Sequence, residues 1–292
     1  MENPEILPHS HRADPEEVER QANCQELDSI ILFERLQNPE IRRQMIDMIE
    51  KSEHQQVRGE RRVDRDPHGK PRRTPDRKII WKDYEPKSRE EIEATIDKNL
   101  ASVENATVVF MNDVPLPHVH RFPDNTRVEV VPLCWKVSTE QGQATTKQMA
   151  IAEAHEKGHI VRPFRIDDFA SVDAVFLKAF DQKVVTYTRE DYENLLKLYP
   201  PKEDQKTPSF SEQKEMFFKY LFRASELAER MSQLKNYFGI TGNEEFTKDH
   251  LDYAREHYIK DTGMDNLMTK FFQAITLEKE EDFLELINSA GI

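Results

Sequence analysis

The chain has 292 residues, of which 37% are hydrophobic, so it is long enough to bury a core in one large domain or two smaller ones. Its formal net charge of −13 argues against general nucleic-acid binding, because a polyanion would be repelled. Two cysteines, Cys24 and Cys134, supply neither a disulfide framework nor a paired zinc–thiolate motif. The apolar runs are too short to span a bilayer, and the N-terminal segment lacks the apolar stretch of a secretory signal. We therefore expect a cytoplasmic protein with no membrane partner.

Residues 1–57 are expected to form a flexible and helical N-terminal segment. Asp14 and Pro15 suit the N-cap and the first position of a helix, and Asn38–Pro39 marks the break before a second helix. Residues 58–78 carry nine basic and four acidic residues with almost nothing apolar, which predicts a basic linker. Contact between this linker and an acidic or nucleic-acid partner is an alternative. The linker lacks the interleaved aromatic residues that are typical of single-strand binding.

Residues 79–292 are expected to form one domain of α+β class. "KIIWKDY" and "TRVEVVPLCWKV" predict strands by their β-branched and aromatic content, and Ser88 with Glu91 predicts a capping box at the start of a helix. Thr188 is a predicted N-cap, and a long helix is predicted from Ser211 to Gly239. The predicted fold is therefore a small mixed or antiparallel sheet, a motif-bearing helix packed on it, and a mainly helical C-terminal part.

That motif lies in "QMAIAEAHEKGHIVRPF", where His155, Glu156 and His159 form H-E-x-x-H in a segment that reads as a helix starting near Thr145 or Thr146. Histidines four residues apart project from one helix face, which suits two nitrogen ligands of one zinc ion. Glu156 lies beside that face, where it can hold and deprotonate a water molecule. The helix is apolar nearly all round and hence buried, and buried histidines without partners are costly, so a metal is the simplest partner.

The H-E-x-G-H form of "HEKGH" resembles the zincin metallopeptidases, in particular the gluzincins and more loosely the ImmA/IrrE-like family. The resemblance covers about fifteen residues around the motif and one later helix. It implies three protein ligands and a water molecule on zinc, the third ligand being a glutamate on a later helix. Glu226 in "YLFRASELAERMSQL" fits best, and Glu229 is the alternative third ligand. Arg230 stands where an acidic residue is common in the family. It could pair with Glu226 or Glu229, or bind a substrate carboxylate.

Several other side chains remain open at this stage. The resemblance implies that the strand before the motif helix accepts a peptide as an additional strand. His118 and His120 form an H-x-H pair without a nearby carboxylate cluster. An oxyanion donor is expected among four residues between which the sequence does not choose: Tyr187, Tyr220, Tyr237 and His257.

The expected function is that of a zinc metallopeptidase acting on a peptide or protein substrate. Zinc would be held by His155, His159 and Glu226, with Glu156 as general base. The alternative is a non-catalytic, zinc-stabilised helical protein with an interaction or regulatory role, for which a fourth protein ligand such as Cys134 would be the sign. The sequence does not indicate the oligomeric state.

Overall fold

A computed structural model of the chain describes residues 15–22, 28–55, 61–64, 71–83, 85–104, 118–121, 128–131, 146–162, 175–198, 201, 206–242, 244–265 and 267–292. This part is mostly helical. The helices, in chain order, are α1 (Pro15–Ala22), α2 (Asp28–Gln37), α3 (Pro39–Gln55), α4 (Arg89–Glu104), α5 (Thr146–Val161), α6 (Arg189–Leu198), α7 (Phe210–Leu221), α8 (Ala224–Tyr237), α9 (Lys248–Thr262), α10 (Met268–Ala274) and α11 (Glu280–Ser289). None of these helices is long and apolar enough to cross a lipid bilayer.

The prediction of an α+β fold with the motif helix packed on a sheet is wrong. Strands in the described part form two separate antiparallel pairs, β1 (Arg61–Val63) with β2 (Trp81–Asp83) and β3 (His118–Arg121) with β4 (Val128–Val131). The motif helix α5 packs mainly against helices α2, α4 and α8. High β-propensity at "VEVV" and "IIWKD" therefore correctly indicates short strands, but these strands do not assemble into a layer that could carry a helix.

The helix boundaries follow local capping signals, as the sequence predicts. The Asn38 Oδ1 atom accepts from the backbone N–H of Glu40 at 2.9 Å, which begins α3. Ser88 and Glu91 form the predicted capping box, in which each backbone N–H donates to the other residue's side chain, at 2.8 and 3.2 Å. Thr188 caps α6 by accepting from the backbone N–H of Asp191 at 3.1 Å. These four-residue signals depend on neighbours in sequence, and they are therefore readable without the fold.

The region predicted as one long helix from Ser211 to Gly239 is instead two helices. The chain leaves helical geometry at Phe222 and is extended at Arg223, where φ is −67° and ψ is 132°. Neither glycine nor proline marks this break. It allows α8 to run through the interior, with every one of its residues buried, and it is therefore a consequence of tertiary packing. The predicted end is confirmed: Gly239 has φ of 70°, a left-handed conformation in which glycine costs least.

Helix α5 lies between two hydrophobic cores. Its residues Ala154, Ile160 and Val161 are buried in a core built with α2, α3 and α4. The second and larger core is formed by the C-terminal helices, including Leu227, Ala228, Met231 and Leu234 of α8. Helix α8 also packs against α5, so the contact between these two helices joins the two cores. The predicted burial of the motif helix is confirmed.

His250 connects α1 and α9 and makes the stability of the fold depend on pH. Its Nδ1 atom accepts from the Thr247 N–H at 2.9 Å, its Nε2 atom lies 2.7 Å from Gln21 Oε1, and 2% of the residue is exposed. Burial lowers the pKa of His250 from 6.5 to about 4, so the folded state disfavours the protonated ring. This contribution to stability is complete above about pH 6.5 and is lost as the pH falls towards 4, by up to about 3 kcal/mol.

We expect denaturant unfolding from pH 7.5 to pH 4 to show this loss in the wild type. The difference between the wild type and His250→Gln should shrink as the pH falls, since glutamine preserves a capping-box side chain but does not titrate. Parallel pH profiles for the two proteins would contradict this role of His250.

Candidate metal centre

Helix α5 places His155 and His159 side by side. The residues are four apart on one face, and their Nε2 atoms lie 3.1 Å from each other. The ring planes are nearly perpendicular, at 82°. His155 is buried, whereas His159 retains 21% side-chain exposure, so the pair meets solvent on the His159 side.

Helix α8 brings Glu226 to the same point. Its carboxylate oxygens lie 3.6 Å from His155 Nε2 and 3.4 Å from His159 Nε2. One ligand atom from each of the three residues lies within 4.8 Å of the others. The sequence associates Glu226 with the two histidines only through a resemblance and an apolar context, whereas the fold brings it to them through the packing of α5 on α8.

The spacing of the three side chains fits a metal ion. Ligand bonds of 2.0–2.1 Å in tetrahedral geometry place neighbouring ligand atoms about 3.3 Å apart. The two Nε2 atoms lie 3.1 Å apart, and Glu226 approaches His155 with Oε2 at 3.6 Å and His159 with Oε1 at 3.4 Å. One buried ligand atom of the group, Glu226 Oε2, has no hydrogen-bond partner among the described residues. Such buried groups are normally satisfied. The His155–His159–Glu226 group could therefore bind a metal ion.

The charges of the group are coupled to one another. Burial opposes ionisation of Glu226, but the two imidazoles and Arg230 outweigh it and hold the pKa of its carboxyl well below the usual range. Burial similarly disfavours protonated His159, but Glu226 outweighs it and raises the pKa of His159 to about 9. Glu226 is thus ionised and pairs with a protonated His159 near neutral pH, and a metal ion bound to this group would take the place of the His159 proton.

Glu156 and Tyr220 border the group. Glu156 follows His155 on α5 and is half-buried; burial raises the pKa of its carboxyl, as do the charges of Glu226 and Glu229. Tyr220, at the end of α7, is half-buried too. Burial and the adjacent carboxylate of Glu226 raise the pKa of its hydroxyl well above the usual range. A proton acceptor and a hydroxyl donor therefore lie beside the three candidate ligands.

Glu229, the alternative third ligand, lies outside this group. Its Oε2 atom accepts from Arg162 Nη1 at 2.6 Å, and both side chains are almost completely buried. A Cβ atom placed on Gly158 would lie 1.8 Å from Glu229 Oε2, so this carboxylate occupies the space that the glycine leaves. Glycine at position 158 therefore permits another element to approach α5 closely. The approaching group is the side chain of Glu229.

The remaining candidate residues are distributed over the fold. Arg230 Nη1 lies 3.5 Å from Glu226 Oε2. Tyr187 packs on Phe217, Tyr237 donates to Asp261, and His257 stacks on Tyr253, all in contacts that involve none of the candidate ligands. His118 and His120 lie on β3, for which the backbone is described. Cys24 and Cys134 lie outside the described residues.

The sequence did not indicate the contribution of Arg162. This residue follows the last turn of α5, and besides Glu229 it approaches Ser232 Oγ at 3.4 Å. Arg35 of α2 donates to the same hydroxyl at 2.7 Å. The partners of Arg162 are 67 and 70 residues away in the sequence, so nothing near this arginine in the chain indicates the pairing.

Comparison of the chain with protein-family models, with curated proteins and with solved structures gives no match.

Proposed function

We propose that this protein is a zinc-dependent hydrolase of peptide bonds. The observation that carries the proposal is the convergence of His155, His159 and Glu226 within 4.8 Å, with Glu156 next to them on the same helix. Two imidazoles and one carboxylate are the ligand set of catalytic zinc sites that keep one position open. Such a site differs from a structural one, which is closed by four protein ligands, and the described residues supply three.

Zinc in this group would polarise a substrate carbonyl and lower the pKa of a water molecule. The protein's own residues would manage the protons. Glu156 is placed beside the ligand face, where its carboxylate takes a proton from the attacking water and delivers it to the leaving amine. Burial raises the pKa of this carboxyl, which makes it a stronger proton acceptor.

Tyr220 is our candidate for the oxyanion donor. It is the one member of the four predicted candidates whose pKa is perturbed by Glu226 and Glu156, and it is half-buried. A phenol hydroxyl aimed at a developing negative charge stabilises it without a proton transfer. We propose further that β4, which lies near α5, accepts the peptide substrate along its edge.

The test is the zinc content of the purified chain after zinc loading and desalting. We expect about one zinc ion per chain, lost in His155→Ala and in Glu226→Ala, because each substitution removes one of three ligands. His257→Ala and Glu193→Ala are the matched controls. Both remove a side chain of the same type from exposed or half-exposed positions, and both should retain zinc.

Metal removal supplies a second measurement on the same samples. Zinc should raise the unfolding temperature of the wild type, since a ligand that binds only the folded state adds about 2.7 kcal/mol at one hundred times its Kd. The His155→Ala variant should show no such rise. Absence of zinc from the wild type after reconstitution would refute the proposed function.

A further inference from the structure

Arg230 is a buried cation whose hydrogen-bonding capacity is unused. It is 1% exposed, and its Nε, Nη1 and Nη2 atoms have no hydrogen-bond acceptor in the described part of the chain. Its contacts are the Glu226 carboxylate, 3.5 Å from Nη1, and the ring of Tyr220, whose centroid lies 5.6 Å from Cζ. A guanidinium carries five N–H donors, and burying them without acceptors is costly.

The other buried arginine and lysine side chains among the described residues differ from Arg230. Each of them has its charged group bonded to an acceptor: Arg35 donates to Ser232 and Ile240, Lys157 to Glu153, Arg162 to Glu229, and Lys235 to the backbone oxygen of Ile292. Where a cation is buried for structural reasons, the chain therefore supplies its partner. The exception is the cation that lies beside the candidate metal centre.

The unused donors call for an anion. One nitrogen of Arg230 faces Glu226, which leaves the Nε and Nη2 edge of the guanidinium unbonded. With a divalent metal held by the three ligands, Arg230 cancels the charge of Glu226 and the centre stays positive. Planar carboxylates fit the guanidinium edge through two parallel hydrogen bonds, which makes arginine the preferred partner of carboxylates.

We infer that Arg230 binds a carboxylate of the substrate, so that the enzyme acts on peptides that carry a free carboxylate close to the scissile bond. The inference rests on the proposed function and deepens it. The ligand enters from the side on which His159, Glu156 and Tyr220 are partly exposed. The carboxylate can belong to the C-terminus of a peptide or to an acidic side chain, and the two sources are separated by experiment.

Binding of short peptides, measured by calorimetry on the full chain with and without zinc, tests this inference independently of turnover. The first pair is an N-acetylated dipeptide with a free C-terminal carboxylate and its C-terminal amide. The second pair is blocked at both ends and contains glutamate or glutamine. In one of the pairs we expect the acid to bind about ten- to hundredfold more tightly than its neutral partner, as is usual for charge-assisted hydrogen bonds.

Arg230→Gln should abolish this preference and change the zinc affinity by no more than a few-fold. Arg230→Lys should keep part of it, because the charge remains while the paired donors are lost. Arg189→Gln, which removes an arginine that is 71% exposed on α6, is the matched control and should keep the full preference. Circular dichroism of each variant checks that it is folded.

Two results would overturn the inference. If Arg230→Gln still bound the acid more tightly than its neutral partner, the carboxylate would be binding to zinc and not to Arg230. If Arg230→Gln lowered zinc affinity and weakened all four peptides equally, the residue would be only a positioning residue for Glu226. Failure of the proposed function is recognised separately, by a chain that binds no zinc. The inference about Arg230 can still be judged in that case, because the metal-free titration shows whether the acid is preferred.

Discussion

Replacing Glu156 with glutamine should lower the turnover of a peptide substrate by about 10²–10⁴-fold, the usual contribution of a general base. Glutamine has nearly the same shape as glutamate but cannot accept the proton of the attacking water. The three candidate metal ligands are unchanged by this substitution, so zinc content and zinc-dependent unfolding temperature should stay close to those of the wild type. Turnover and metal content are therefore measured on the same zinc-loaded preparation.

Glu153→Gln is the matched control for this experiment. Glu153 lies on the same helix, one turn before Glu156, where its side chain is 23% exposed and bonds to the buried Lys157. Its neutralisation should leave turnover within a few-fold of the wild type. Full activity of Glu156→Gln would remove the general base from the mechanism. Loss of zinc in that variant would instead show that Glu156 is a metal ligand.

The sequence predicted best those features that depend on neighbours along the chain. The caps at Ser88 and Thr188, the break at Asn38 and the left-handed Gly239 all combine a specific residue type with a short spacing, and the structure contains each of them. The break at Arg223 has no such signal. It depends on how α7 and α8 pack, and intrinsic propensity is too weak to oppose that packing.

The sequence predicted the part of the candidate site that lies on a single helix, α5. The relation of His155, Glu156 and His159 follows from helix geometry, and burial of the helix follows from its apolar composition. Glu226 was found through a resemblance and an apolar context, and the fold places it at the pair. What the sequence could not show is that Glu229 pairs with a distant residue, Arg162, while Glu226 lies at the two histidines.

The buried pair of Arg162 and Glu229 should set the distance between α5 and α8, and with it the geometry of the site. Both side chains are almost wholly buried, with a hydrogen bond of 2.6 Å. Removing one partner leaves an uncompensated buried charge, so Arg162→Met alone or Glu229→Met alone should lower the free energy of unfolding by about 3–5 kcal/mol. Zinc affinity should fall in both variants, because Glu226 lies on the same helix as Glu229, one turn before it.

The double variant separates the charge from the packing. Arg162→Met with Glu229→Met removes both charges and fills the space with apolar atoms, so it should recover most of the lost stability, as replaced buried pairs often do. Arg189→Met with Glu193→Met is the control cycle, since that pair is 71% and 57% exposed and should couple by less than about 1 kcal/mol. Denaturant unfolding of the metal-free proteins gives the coupling energy, and zinc titration gives the consequence for the site.

Additive losses in the double variant would mean that the two residues act independently. Recovered stability with weak zinc binding would show that the ion pair is needed for its geometry, because an apolar pair can replace its contribution to stability but does not fix the position of Glu226 against the two histidines.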